Sequence, residues 1–451
     1  MGIDIGIELL TLIMFGSLLA LLMAGLPLAF VTGGLACVFL FVLGDERALN
    51  IVPSRIFPLM TNYQLSAIPL FIFMAAMLER AGIINDMFDV IYKVLGGVKG
   101  GLASATIIAS TILAAMVGVI GAAVVTMGII ALPAMLKRHY DPKIAMGSIM
   151  AGGTLGILIP PSILAIIYAV VAEQSVGELF IGAVIPGLLL SGMYILYVSM
   201  RCYFNPELGP AIPMEERVSN PEKVKLVGKM AAPITLVVVV LGIIFSGVAT
   251  PVEAAGIGTF GAFIVAAIHR KLDWPTVRDA CTTTLKASAM VIWIMFGATI
   301  FVGLYVLEGG QQFVQDALAA TGLGPWGILI LMQILLVVLG MFLDWVGILL
   351  LCVPIFVPII KALGAAAFGL SNPEDLVLWF GVLYLVNMQM SFLSPPFGYA
   401  LFYLRGVAPD TIPMTDIFKS ALPFLALQIV GLVLCMVFPE IITWLPRLVY
   451  G

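Results

Sequence analysis

The chain has 451 residues, of which 62% are hydrophobic and only 10% charged, with a formal net charge of −4. Soluble domains carry about 25% charged residues, so a soluble enzyme, a nucleic-acid-binding domain and a disulfide-stapled secreted domain are excluded. Apolar runs long enough to span a bilayer recur along the whole length, which makes the chain an all-α polytopic membrane protein embedded in lipid. The five cysteines have neither metal nor redox spacing and read as small hydrophobes. Asp4 and Glu8 stand where a signal peptide would be basic, so no cleaved leader is expected.

In chain order, residues 7–24, 27–43 and 66–79 predict three helices. Residues 101–136 hold two apolar stretches interrupted at Val117-Gly118-Val119-Ile120-Gly121-Ala122-Ala123 and read as a re-entrant hairpin. Residues 143–172 predict a helix broken at Pro160-Pro161, because proline removes a backbone donor and clashes with the preceding turn. Residues 181–201 predict a returning helix, and the proline- and charge-rich stretch 205–229 a linker. The series then repeats: helices 231–248, 252–268 and 287–306, a hairpin at 325–361, a helix at 376–404 broken at Pro395-Pro396, and a last span at 421–444. Short segments of mixed polarity at Ile83–Leu95, 175–180, 274–286, 311–321 and 411–419 suit helices lying in the interface plane.

Collinear matches support a duplication. Pro27 and Gly34 match Pro251 and Gly258; Glu79 matches Glu308, Pro133 matches Pro358, and both breaks share the spacing Pro-Pro-x6-Tyr, ending at Tyr168 and Tyr403. Repeat 1 covers residues 4–204 and repeat 2 covers 230–447, joined by the 205–229 linker. The ends of the first hairpin carry Lys93, Lys99, Lys137, Arg138 and Lys143, which places them in the cytoplasm. On the resulting topology every Lys and Arg is cytoplasmic except Arg47, Arg55, Lys361 and Arg447, the two halves are inverted, and the C-terminus is periplasmic.

Unwound backbone survives in a membrane only where protein or a water-filled cavity covers it, and matched interruptions in two halves point to a transport site near the midplane. Around the breaks, Thr154, Gly156, Pro160, Pro161 and Ser162, then Asn387, Gln389, Ser391, Ser394, Pro395 and Pro396, are the candidate substrate-binding residues. Half-helices beginning at Pro161 and Pro396 would turn positive dipole ends toward an anion; plain kinks are the alternative. Asp344 lies midway through the second hairpin, where a carboxylate costs at least ~2.5 kcal/mol to insert. It is a candidate ligand for a coupling cation, sodium, the alternative role being a helix N-cap. At the first hairpin tip, Gly118 and Gly121 would expose carbonyls to a hard cation, or serve helix packing. Glu253 is expected to cap a helix at an outer turn. No nucleotide cradle and no Ser/His/Asp constellation occurs, so the chain is not expected to be an enzyme and no cofactor is expected beyond the coupling Na+.

The segments Gly152-Gly153-Thr154-Leu155-Gly156-Ile157-Leu158-Ile159-Pro160-Pro161-Ser162, Ser175-Val176-Gly177-Glu178-Leu179-Phe180, Met341-Phe342-Leu343-Asp344-Trp345, Val353-Pro354-Ile355-Phe356-Val357-Pro358 and Val386-Asn387-Met388-Gln389-Met390-Ser391-Phe392-Leu393-Ser394-Pro395-Pro396-Phe397-Gly398 resemble the large, DctM-like membrane subunit of the TRAP (tripartite ATP-independent periplasmic) transporters. The resemblance covers nearly the whole chain. It implies an elevator-type ion-transporter architecture in the inner (cytoplasmic) membrane of a bacterium or archaeon. It also implies a small four-helix membrane partner, a soluble periplasmic substrate-binding protein and sodium-driven uptake of a small organic acid. By the same resemblance Asp344 and Gly347 fall in the sodium region of the second hairpin, and Gly118 and Gly121 in the first hairpin's tip. Many members have a serine-rich sequence at that first tip, which this chain lacks. A stand-alone sodium–dicarboxylate symporter of related architecture is the alternative; a membrane enzyme or a channel would need clustered ionisable groups or uncoupled current.

Overall fold

The computed structural model describes residues 5–44, 46–117, 120–213, 218–396 and 398–450. Every element among them is a helix, and six helices are long and apolar enough to cross a membrane. Helix starts follow local chemistry. Asp141 caps Pro142–Thr154, accepting from the backbone N–H of Lys143 at 2.8 Å and of Ile144 at 3.1 Å, with Pro142 in the first turn. Thr250 and Glu253 close a capping box at the head of Pro251–Ile268. Thr250, not Glu253, is therefore the cap, and the carboxylate is its reciprocal partner three residues on.

The packing groups the helices into two bodies that meet along Trp274–Leu307 and Trp345–Leu363. In the first, Leu28–Gly44 lies along Trp274–Leu307, so closely that a side chain at Gly297 would collide with Thr32 and the Ala29 carbonyl. Ala67–Arg80 packs on Pro251–Ile268 and on Trp274–Leu307, and Ala231–Phe245 on Pro251–Ile268. This frame is built from the opening helices of both repeats.

The second body holds the hairpins and the broken helices. Each hairpin embraces the first half of its own repeat's broken helix: Gly101–Val117 and Ile120–Lys137 flank Pro142–Thr154, while Pro325–Gly340 and Trp345–Leu363 flank Asp375–Leu393. The second halves are exchanged. Ile163–Ala172 packs on the second hairpin and Tyr399–Arg405 on the first. Met414–Val437 likewise lies on Pro142–Thr154, and Val176–Phe204 on Asp375–Leu393. The architecture is one of inverted repeats, each with a re-entrant hairpin and a discontinuous helix, of the elevator-type ion-transporter class.

Several expectations need correction. Segment 274–286 is not a separate interfacial helix but the opening of the continuous 34-residue Trp274–Leu307. Asp273 caps it by accepting from Thr276 N–H at 2.8 Å, and nothing afterwards interrupts the ladder. Its counterpart in repeat 1 is broken: Arg47–Met60 and Tyr63–Arg80 meet at 61°, where the Asn62 side chain accepts from Gln64 N–H and restarts the helix. Segments 175–180 and 411–419 likewise merge into Val176–Phe204 and Met414–Val437. The last span ends at Val437, and after Pro439 a separate amphipathic helix, Glu440–Tyr450, follows.

Candidate functional site

The first break is sealed inside protein. Thr154, Gly156, Pro160, Pro161 and Ser162 are all buried. Pro142–Thr154 runs into a short 3-10 turn at Leu155–Ile157, and the second half-helix, Ile163–Ala172, begins after the prolines rather than at Pro161. The cause is Ser162: its hydroxyl donates to the Ile157 carbonyl at 2.5 Å and accepts from Ala165 N–H at 3.3 Å, so the serine is the cap and the prolines stay outside the helix. Thr154 donates to its own turn at Ala151 and accepts from the Gln428 amide at 3.3 Å. Gly152 and Gly153 let the hairpin close on this helix, since a side chain would meet Ser110 at 2.8 Å from one arm and Val124 from the other. Tyr168 finishes the motif by donating to the Val377 carbonyl at 3.0 Å.

The second break has the same plan but is partly open. Asn387, Gln389 and Ser391 are buried on Asp375–Leu393 and Ser394 just past its end, whereas Pro395 is half-buried and Pro396 exposed. The following half-helix is Tyr399–Arg405, again starting later than Pro396, with Gly398 as its cap. Both Pro-Pro peptides are cis. Asn387 Nδ2 donates to the Gln333 carbonyl at 2.9 Å and to Gln333 Oε1 at 2.7 Å, tying the break to the first arm of the second hairpin. Higher on the same contact, Gly340 abuts Ser391 with no room for a side chain.

Asp344 sits at the tip of that hairpin, half-buried, as the N-cap of Trp345–Leu363; its carboxylate accepts from Val346 N–H at 3.2 Å. It borders a cavity of about 680 Å³ whose other walls include Pro27, Leu28, Trp293, Phe342, Tyr399 and Tyr403. The cavity therefore lies between the frame and the hairpin body. Gly347, three residues beyond, does not line it but packs directly behind one of its walls, Leu28. At the first hairpin, Gly121 lies 3.1 Å, measured from an added Cβ, from the Tyr403 ring; Gly118 falls outside the described residues. The first tip thus leans on the second broken helix, through the same Tyr403 that lines the Asp344 cavity.

The polar groups of the site are incompletely satisfied. Both amide atoms of Gln389, Asn387 Oδ1, Gln333 Nε2 and Gln428 Oε1 are buried without a hydrogen-bond partner among the described residues. Such atoms each cost about 1–3 kcal/mol and are kept where water, an ion or a solute meets them. No three His, Cys, Asp or Glu side chains converge among the described residues. The side chains bearing oxygen on the cavity wall at the second tip are Asp344, Tyr399 and Tyr403. Sequence reasoning missed Gln333 and Gln428. Each is a lone amide in an apolar run, a signal that could have found them, because intramembrane polar groups face the bundle interior.

Residues 15–441 match the family model described as "Tripartite ATP-independent periplasmic transporter, DctM component". The chain is 32% identical to the C4-dicarboxylate TRAP transporter large permease protein DctM of Pseudomonas aeruginosa, over 91% of this chain and 92% of that protein. It is 29% identical to the sialic acid TRAP transporter large permease protein SiaM of Vibrio cholerae, over 92% and 93%. It is also 29% identical to the isethionate TRAP transporter permease protein DctMQ of Oleidesulfovibrio alaskensis, over 90% of this chain but only 62% of that protein. Among solved structures the YdaH transporter of Alcanivorax borkumensis shares the fold, with a TM-score of 0.66 at 14% identity, covering 95% of this chain and 99% of that one.

Proposed function

Because the chain belongs to the DctM component family of tripartite ATP-independent periplasmic transporters, we propose that it is the large permease subunit that takes up a small organic acid across the inner membrane, driven by sodium. The supporting observation is the pair of helix breaks, each gripped by a hairpin, with the cavity at the second reaching Asp344. Asn387, Gln389, Ser391 and Ser394, with Thr154 and Ser162 across the interface, would meet the substrate; Asp344 and carbonyls at the two tips, including Gly121, would hold sodium. Relatives are named for C4-dicarboxylate, sialic acid and ectoine, so the family does not fix the solute. Selectivity would rest largely on a soluble binding protein that delivers it.

On the topology argued from charge, the loops near Pro27 and Arg405 are cytoplasmic, so the Asp344 cavity opens inward. The mechanism is then a displacement of the hairpin body against the frame, which presents the breaks to each side in turn. The small membrane partner is expected as a separate chain; the longer DctMQ relative leaves room for a fused form in other proteins.

Affinity purification of the tagged protein from its native membrane tests the assembly. A co-purifying membrane protein of about four spans in constant ratio supports the tripartite reading, and repeated recovery of the chain alone points to a self-sufficient symporter. Sodium is tested on the purified complex by melting in NaCl against KCl. A preformed site raises the melting temperature in sodium only, and equal curves count against it.

A further inference from the structure

The end of the molecule away from the Asp344 cavity is spanned by the C-terminal helix Glu440–Tyr450, which neither the breaks nor the hairpins require. Its buried face presents Ile442, Thr443 and Pro446 to the protein while Trp444 and Leu448 stay exposed, the pattern of a helix lying at a membrane surface. It packs along Val176–Phe204, and two of its side chains make hydrogen bonds that go to different bodies. Arg447 Nε and Nη2 both donate to Asp375 Oδ2, at 2.8 and 2.6 Å. Asp375 opens Asp375–Leu393, the helix that carries Asn387 and Gln389 to the second break, about 27 Å away along its axis at 1.5 Å per residue. Three residues after Arg447, the Tyr450 hydroxyl donates to the Ile244 carbonyl at 3.2 Å, near the end of Ala231–Phe245, a frame helix. Tyr450 also rests on Gly177, where a Cβ would stand 2.7 Å from its hydroxyl.

We infer that this helix is a latch. Arg447 fastens it to the hairpin body through a charge-assisted pair, and Tyr450 pins that body to the frame through one neutral, partly exposed hydrogen bond. The strengths are unequal, so the joint opens at Tyr450 and the helix travels with Asp375. Pinned, it holds the state in which the Asp344 cavity is open and the opposite end closed. The inference rests on the two-body transport reading above. Arg447 and Tyr450 are positioning residues; they touch no substrate.

The test places spin labels at Val248, on the frame, and at Ser371, just before Asp375, both exposed. The labelled protein is the full chain with its co-purifying partner in lipid nanodiscs, with the five native cysteines replaced. Distances are measured by pulsed electron resonance across a range of sodium concentrations. The parent is expected to show one dominant distance and a minor one. Tyr450→Phe keeps the ring but loses the bond, and should raise the minor population about five-fold. Arg447→Gln should do at least as much, and Arg447→Lys should restore part of the parent distribution. If Tyr450→Phe and Arg447→Gln lower the melting temperature but leave the distances unchanged, the helix is a brace and the latch is overturned. If Arg447→Gln does not fold, an unchanged distribution in Tyr450→Phe overturns it alone. A single invariant distance in the parent at every sodium concentration instead overturns the two-body reading, and the latch with it.

Discussion

The two Pro-Pro breaks share a spacing, a cis peptide and a gripping hairpin, yet one is sealed and the other open. At the first, Ser162 is locked between Ile157 and Ala165, and Tyr168 is spent on the Val377 carbonyl beside its stacking partner Tyr384, 5.9 Å away. At the second, Pro396 is exposed and Tyr403, the equivalent of Tyr168, lines the Asp344 cavity. The difference is made partly within the motif, where Ser162 stands at the first break and Phe397 at the second, and partly by the neighbours that Tyr168 and Tyr403 meet. Repeats that share a motif thus stand in non-equivalent surroundings, and the tyrosine that closes the motif faces a cavity only at the second break.

The largest expected effect is at the asymmetric carboxylate. Asp344→Asn should lower sodium-dependent uptake about 100-fold while the complex still assembles, because the neutral amide keeps the cap acceptor but loses the charge. Uptake in proteoliposomes with normal sodium dependence would remove Asp344 from the coupling site. Next comes packing at the hairpin contacts. Gly340→Ala drives a methyl into Ser391 and should cost about 1–3 kcal/mol of stability, more than Gly152→Ala, whose Cβ meets Ser110 at 2.8 Å. Melting curves of the two variants rank them, and the reverse order would mean that the second hairpin is the looser one.

Amide substitutions separate solute contact from scaffolding. Gln389→Met replaces two orphaned atoms by an apolar chain of similar length, so stability should hold or rise while uptake falls about ten-fold. Gln428→Met loses the bond to Thr154 and should instead cost about 1 kcal/mol with little change in uptake. An unchanged uptake in Gln389→Met would make that residue a core amide. The smallest pair is Tyr168→Phe against Tyr403→Phe. The first removes a second hydrogen bond from the Val377 carbonyl, which keeps its place in the helix, and should lower stability by about 0.5–1 kcal/mol, and the second should leave stability alone and slow uptake a few-fold. Equal melting losses would erase the distinction between the breaks.

Much of this was legible in the chain. Spans, hairpins and breaks follow from runs of apolar residues punctuated by Gly and Pro, and Asp344 stood out because nothing else charged lies at that depth. Helix starts near the breaks were misjudged because Pro161 and Pro396 drew attention from Ser162 and Gly398, the residues that cap. The continuity of Trp274–Leu307 was hidden by its polar first turns, which local composition cannot distinguish from a surface helix. Arg447 looked like a stray charge on the outer side. Its bond to Asp375, 72 positions earlier, is a tertiary pairing that no window of sequence contains.

The exchange of half-helices bears on how the protein is made. Ile163–Ala172 leaves the ribosome long before Trp345–Leu363, the hairpin arm that covers it, and Thr154 before Gln428. Repeat 1 is therefore made before the hairpin arm that covers Ile163–Ala172 and before the amide that donates to Thr154, although its own hairpin already flanks the break. Neither half completes its own packing, so the last contacts around the first break form only once the second hairpin and Gln428 have been made.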